Sequence, residues 1–250
     1  MKLLLVADLH ANWPALRAVL AAAGSVDGVL CLGDIVNYGP HPMPCVEWAQ
    51  RRVRPGWIVQ GNHDHALGRG ADPRCSAPYR VLAAAMQRYT TGQLTPAAKE
   101  FLANLPSGES HHVENARIFL CHAVPSDRLY GYVQADDAAR WVRECALAGN
   151  PDFVVVGHTH RPFIRQIGGT TVVNPGSVGQ PKDGDARASY ALWHHGKMTL
   201  HRATYDIAAV TRDLAACASR TVSLALSRVL LTGGILSGNT EPEIPWSRVP

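Results

Sequence analysis

The sequence predicts an α/β fold that opens as a βαβαβ unit, and three observations carry the prediction. Short apolar runs of strand length, "KLLLVA" (2–7), "GVLCL" (28–32) and "WIVQ" (57–60), alternate with stretches of helical period. Helix start and stop residues stand between them, Asn12 and Pro14 at one end and Gly24 at the other. Similar runs, "ARIFLC" (116–121) and "FVVV" (153–156), return later with a helical segment between them. Strands joined through helices imply a parallel sheet with right-handed crossovers.

Taken in order, Asn12 caps a helix through "ALRAVLAAAG", and a Gly- and Pro-rich loop leads to a helix around "PCVEWAQRR" (44–52) before the third strand. The middle is helical over "APYRVLAAAMQRYTTG" (77–92) and "TPAAKEFLANL" (95–105), the latter started by Thr95 and Pro96. "ADDAARWVRECALAG" (135–149) is the helix between "ARIFLC" and "FVVV". The pattern then turns to β: "PFIRQIG" and "TTVVN" flank Gly168-Gly169 as a hairpin, and "ASYALWHH" and "KMTLHRATY" flank Gly196. "DIAAVTRDLAACAS" and "SLALSRVLL" close the chain as helices, so one domain is expected over 1–235 with a loose tail over 236–250.

Composition narrows the function. With 250 residues, 46% hydrophobic and 18% charged, the chain has enough apolar surface for one full core. The net charge of +4 comes from scattered Lys and Arg, so stable nucleic-acid binding is not expected, although an anionic substrate is allowed. Six cysteines without a CxxC pair fit a reducing cytoplasm. The N-terminal apolar run is broken by Asp8, and "TVSLALSRVLLTGGILSG" carries Arg228, so neither reads as a signal or a membrane span.

The polar residues fall where the strands end. "KLLLVA" runs into Asp8 and His10, "GVLCL" into Asp34, "WIVQ" into Asn62, His63 and Asp64, "ARIFLC" into His122, and "FVVV" into His158 and His160. Singly, each is an ordinary strand-end polar group. Together they converge, because ligands in open α/β sheets gather outside the carboxyl ends of strands. Asp8, His10, Asp34, Asn62, His122, His158 and His160 offer imidazole nitrogens and carboxylate or amide oxygens with no thiolate. That set suits manganese first, with iron, zinc or nickel as alternatives, and seven ligands are enough for two divalent ions sharing one carboxylate.

The motifs "DLH", "GDIVNYG", "GNHD", "CHA" and "GHTH" resemble the calcineurin-like metallophosphoesterases over residues 1 to about 205. "DLHANWPAL", "GDIVNYGPHP" and "NPGSVGQPKDGDARASYAL" are similar to the small bacterial branch of YfcE-type and diadenosine-tetraphosphate-hydrolase-like proteins. The resemblance implies a four-layer α/β/β/α sandwich of two mixed sheets flanked by helices. It implies one ion on Asp8, His10 and His160, a second on Asn62, His122 and His158, and Asp34 between them. It also implies attack by a metal-bridging hydroxide, with Asp34 and His63 as catalytic residues and His63 facing the phosphate.

One departure bears on substrate. Where the protein-phosphatase branch has Asp and Arg, this chain has Asn37 and Tyr38, which removes a carboxylate partner for His63 and a guanidinium grip on phosphate. Asp64 is a candidate for that carboxylate, although the side chains of adjacent residues rarely point the same way. Tyr38, Asn37, His41, His65 and Arg128 are candidate substrate contacts, with Tyr38, Tyr130 or Tyr132 as stacking rings, and Ser177 reads as a turn residue rather than a nucleophile. The expected activity is hydrolysis of a phosphodiester, nucleotide phosphoanhydride or phosphomonoester. A protein-phosphatase-like monoesterase and a non-catalytic metal-binding scaffold are the alternatives.

Overall fold

The computed structural model describes residues 1–236, and the expected tail over 236–250 lies outside them except for Leu236. β1 (Lys2–Val6) is followed by α1 (Trp13–Ala23), where Asn12 Oδ1 accepts the Ala15 N–H at 3.2 Å and Gly24 ends the helix. β2 (Gly28–Cys31), α2 (Pro42–Arg52), α3 (Asn62–Arg69), α4 (Ala77–Gln93) and α5 (Pro96–Ala103) come next. β3 (Gly108–Val113) and β4 (Ala116–Cys121) form a hairpin, and α6 (Ala138–Leu147), capped by Asp137, leads to β5 (Phe153–Val155). β6 (Phe163–Ile167), β7 (Thr170–Asn174), β8 (Ala188–His194) and β9 (Lys197–Ala203) pair as two hairpins. α7 (Ile207–Cys217) and α8 (Arg220–Thr232) start at Asp206 and Ser219, whose side chains each take a backbone N–H.

Two mixed sheets result, ordered β2-β1-β8-β9 and β3-β4-β5-β7-β6. Period-2 alternation sends successive side chains to different layers. Leu3 and Leu5 of β1 face Ile118, Leu120, Val155 and Val173 of the other sheet, whereas Leu4 and Val6 face α1 and α2. On the far sheet Phe119, Val154 and Val172 turn outward onto Trp141 and Cys145 of α6. The layers are therefore helix, sheet, sheet, helix. α4, α7 and α8 form a further cluster that packs on Tyr38 and Tyr79.

The opening departs from βαβαβ at the third strand. "WIVQ" makes one parallel bridge, Ile58 to Cys31, and then leaves the ladder because the Gln60 N–H goes to Pro106 O at 2.7 Å. Directly after it, "NHDHALGR" is a helix rather than a loop: Asp64 Oδ2 takes the Gly61 N–H at 3.1 Å and supplies the missing cap. The first sheet is parallel only at β1–β2, since β1's other neighbour is antiparallel β8.

The inter-sheet layer is the part least able to relax. Leu5→Ala, at a fully buried position, is expected to cost ~2–5 kcal/mol in urea unfolding. A cost below about 1 kcal/mol would show that the sheets repack freely.

Candidate metal centre

The two loops that leave β1 and β2 are tied to each other before any side chain is considered. Asp8 N–H donates to Gly33 O at 3.0 Å, His10 N–H to Asp34 O at 2.9 Å and Ala11 N–H to Ile35 O at 2.9 Å. Asp64 Oδ1 takes the Ile35 and Val36 amides, which fastens the start of α3 to the same loop. Approach here is so close that a Cβ on Gly33 would fall on the Gly61 amide nitrogen, and one on Gly61 on the Asp34 carboxylate. Asp8, His10, Asp34, His158 and His160 all have left-handed backbone, with φ between 44° and 65°. Such conformations are costly for non-glycine residues and persist where surrounding bonds over-determine them.

The seven expected ligands meet at one edge of the sheets. Asp8, His10, Asp34 and His160 present donor atoms within 4.8 Å of one another, a group that could hold one cation. On the other side His122 Nε2 lies 3.1 Å from Asn62 Oδ1, 3.2 Å from His158 Nδ1 and 3.4 Å from Asp34 Oδ2. Asp34 Oδ2 is also 3.6 Å from His10 Nε2, so one carboxylate oxygen stands between both groups.

Hydrogen bonding sets what the imidazoles offer. His10 Nδ1 donates to Val36 O at 3.3 Å and His160 Nδ1 to Gln180 O at 2.6 Å. Burial holds both rings well below the usual histidine range, so both are neutral. Their Nε2 atoms therefore carry lone pairs, and these face each other at 3.1 Å. Two facing lone pairs repel unless a cation lies between them. Buried Asp8 Oδ2, which has no hydrogen-bond partner among the described residues, marks the same need. Burial raises Asp8 to about 7, against the pull of His122. For Asp34 burial works the same way, but His122 and His63 outweigh it and hold the carboxyl well below the usual range. His122 is pushed up to about 9: burial opposes the charge, while Asp34 and then Asp8 attract it. A proton on His122 thus substitutes for the positive charge that the donor set demands.

His63 opens toward the cleft from the first turn of α3, and its backbone N–H donates to Asp34 Oδ1 at 2.9 Å. Its Nδ1 is 2.8 Å from Asn37 Nδ2 and its Nε2 is 3.5 Å from Cys75 Sγ. Burial lowers its pKa to about 4, despite the attraction of Asp34. Asp64 does not serve as its carboxylate partner, because both Asp64 oxygens are spent on backbone amides.

The cleft above the cluster is lined by His63, Arg74, Cys75, Tyr79, Tyr132 and Lys182 among others. Arg74 lies over the Tyr130 ring at 4.4 Å and Lys182 over Tyr79 at 4.3 Å. Burial draws the Lys182 ammonium down to about 8. Neither cation was expected from sequence: Arg74 sits in a loop without a motif, and Lys182 lies within "NPGSVGQPKDGDARASYAL", but the resemblance gives it no role there. The proximity of "QPKDG" to the tight "NPGSVG" turn is the one local cue for Lys182.

Of the expected substrate contacts, four do not line the cleft, and one of them, Asn37, is fully buried against His63. His41 binds Asp213 at 2.9 Å, His65 binds Gln60 at 3.1 Å, and exposed Arg128 lies over the Phe119 ring. Tyr38 does line the cleft, but its ring is packed against His10, His63 and Tyr79 and has no free face for a base. Tyr132, 51% exposed and 4.7 Å from His158, has one. Ser177 Oγ donates to Asp8 O and takes the Gln180 N–H, a turn residue that braces two ligand loops.

The model of the calcineurin-like phosphoesterase superfamily domain matches residues 1–198. The chain belongs to that superfamily. It is an enzyme of the metallophosphoesterase kind. Protein MJ0912 of Methanocaldococcus jannaschii is 30% identical over 222 residues, 81% of this chain and 87% of its own length. Phosphodiesterase YfcE of Escherichia coli K12 is 28% identical over 197 residues, 77% of this chain and 86% of its own. The crystal structure of a metallophosphoesterase from Sphaerobacter thermophilus superposes with a TM-score of 0.75 at 31% identity, covering 93% of this chain and 99% of that one. Protein PH1004 of Pyrococcus horikoshii shares the fold, with a TM-score of 0.78 at 21% identity over 94% of this chain and 99% of that one. Among the described residues of the phosphoesterase, no helix is long and apolar enough to cross a membrane.

Cation binding must displace the proton on His122, whose folded-state pKa is raised to about 9. Mn²⁺ affinity should therefore weaken roughly tenfold for each pH unit below that value. Calorimetric titration at several pH values between neutrality and pH 9 tests this, and a flat profile would refute it.

Proposed function

We propose that this phosphoesterase hydrolyses a phosphodiester or nucleotide phosphoanhydride using two divalent cations. Asp8, His10 and His160 would hold one, Asn62, His122 and His158 the other, and Asp34 both. The observation that carries the two-cation reading is the position of Asp34 Oδ2, 3.6 Å from His10 Nε2 and 3.4 Å from His122 Nε2. Bound cations of this kind supply Lewis acidity and an activated water at neutral pH. Manganese suits the mixed nitrogen and oxygen donors.

The chain's own residues do the rest. Asp34 takes the His63 amide with Oδ1 while Oδ2 faces the donors, so it fixes the histidine against the metal set. His63 lines the cleft with its Nε2 3.5 Å from Cys75 Sγ, another lining residue, and so would meet the oxygen that leaves. Arg74 and Lys182 attract the anion from two walls, and their tyrosine platforms hold them without neutralising them. Tyr132 offers its free face to a base or other flat group.

Substrate class follows from what is missing at position 38. Buried Tyr38 gives no guanidinium fork for a phosphomonoester dianion, and Arg74 and Lys182 approach on separate loops rather than as one bidentate group. A diester or internal anhydride carries less charge at the attacked phosphorus and gains affinity from its second half. The name of YfcE, a phosphodiesterase, supports the same class.

Asp34→Asn is expected to reduce kcat at saturating Mn²⁺ to less than a tenth of wild type while the fold persists by circular dichroism. Retention of more than that would exclude Asp34 from the shared position. With the Mn²⁺ form, kcat/KM for a nitrophenyl diester and for diadenosine tetraphosphate should exceed that for a phosphoserine peptide. A faster phosphopeptide would reverse the assignment of class.

A further inference from the structure

The amide of Asn37 has only one orientation that satisfies its neighbours. Its Oδ1 accepts the Tyr38 N–H at 2.8 Å, and its Nδ2 donates to Ala83 O at 3.3 Å. Turning the amide over would set oxygen against the Ala83 carbonyl and an N–H against the Tyr38 N–H, losing both bonds in a buried site. The second Nδ2–H is then directed at His63 Nδ1, 2.8 Å away, and that nitrogen must accept. An imidazole that accepts at Nδ1 carries its hydrogen on Nε2. On the far side of the ring Nε2 lies 3.5 Å from Cys75 Sγ, a sulfur that accepts the Tyr38 hydroxyl at 3.2 Å and is compatible with either direction. Asn37, 26 positions from His63 and fully buried, thus donates both ways, to Ala83 O and to His63 Nδ1.

Resting on the phosphoester-hydrolase reading, we infer that Asn37 is a positioning residue that locks His63 as a neutral Nε2–H hydrogen-bond donor, restricting this enzyme to substrates with acidic leaving groups. A carboxylate at position 37 would accept from Nδ1–H and support an imidazolium able to release its Nε2 proton; an amide N–H aimed at Nδ1 forbids that state. Neutral imidazole is a good hydrogen-bond donor and a very weak acid. The bond from phosphorus to the leaving oxygen therefore breaks with its electron pair on that oxygen, and His63 keeps its proton while stabilising the developing charge. Water supplies the oxygen that joins phosphorus, and its proton goes to solvent. The group expelled must be stable as an anion, as phosphate and phenolates are and alkoxides are not. Anhydrides and aryl esters fit; simple alkyl esters do not.

Two measurements test this. Nitrogen-15 histidine spectra of the diamagnetic Mg²⁺ form should show His63 with a protonated Nε2 and an unprotonated Nδ1. Asn37→Asp should move the proton to Nδ1. Asn37→Gly keeps the left-handed backbone (φ 73°) and serves if the aspartate variant does not fold. It should give mixed tautomers with metal stoichiometry unchanged. In wild type, kcat/KM should fall steeply as the leaving group becomes more basic across a series of aryl and alkyl diesters, and Asn37→Asp should flatten that slope at least tenfold between its ends. A protonated Nδ1 in wild type, an unmixed Nε2–H tautomer in Asn37→Gly, or an equal slope in Asn37→Asp overturns the inference. Absence of turnover on every phosphoester would instead overturn the hydrolase reading, and the spectra would still decide the tautomer.

Discussion

The cluster depends on the repulsion between buried neutral donors that point at one another. His10 and His160 spend their Nδ1 hydrogens on carbonyls, so their Nε2 lone pairs meet at 3.1 Å, and Asp8 Oδ2 has no partner among the described residues. In a dry site such an arrangement is unfavourable until positive charge enters. The His122 proton supplies part of it, and a divalent cation that displaced this proton would supply more. Asp34 joins the two halves, with one oxygen on the His63 amide and the other toward both histidine groups. The chemistry and its metal requirement are two views of this unsatisfied set.

Holding such a set costs stability, and the architecture shows where that cost is offset. Five of the candidate ligands sit in left-handed backbone, and buried carboxylates lie beside several imidazoles. Around them the loops from β1 and β2 are laced amide to carbonyl, Asp64 ties α3 to the same loop, and Ser177 ties on the turn before β8. Behind them the two sheets close over Leu3, Leu5, Leu120 and Trp193. The layer's side chains are almost wholly apolar, with the Trp193 indole N–H the exception among those named, so it can stabilise the fold while the edge carries strain.

The same division explains how the cleft combines opposite charges. Its floor is carboxylate and imidazole, suited to cations, whereas Arg74 and Lys182 stand on its walls, suited to an anion. Tyrosine faces carry both wall cations, which keeps them from collapsing onto Asp8 or Asp34. α4, α7 and α8 pack on Tyr38 and Tyr79 and so bring the platform for Lys182 to the site.

By itself the sequence determined the alternation of strands and helices, the clustering of Asp8, His10, Asp34, Asn62, His122, His158 and His160 at strand ends, and with them the family. These are local properties: periodicity, caps and short motifs lie within a few residues of chain, and the carboxyl ends of strands meet in any such sheet. "WIVQ" misread because a single amide, that of Gln60, prefers Pro106 to the ladder, a contact 46 positions away. Only the tertiary structure decided that Asp64 is a cap, that Asn37 rather than a carboxylate orients His63, that Arg74 and Lys182 reach the cleft, and that His41, His65 and Arg128 do not. Each of those outcomes turns on hydrogen-bond direction or loop path between residues distant in sequence, and residue type constrains neither until the backbone places donor against acceptor.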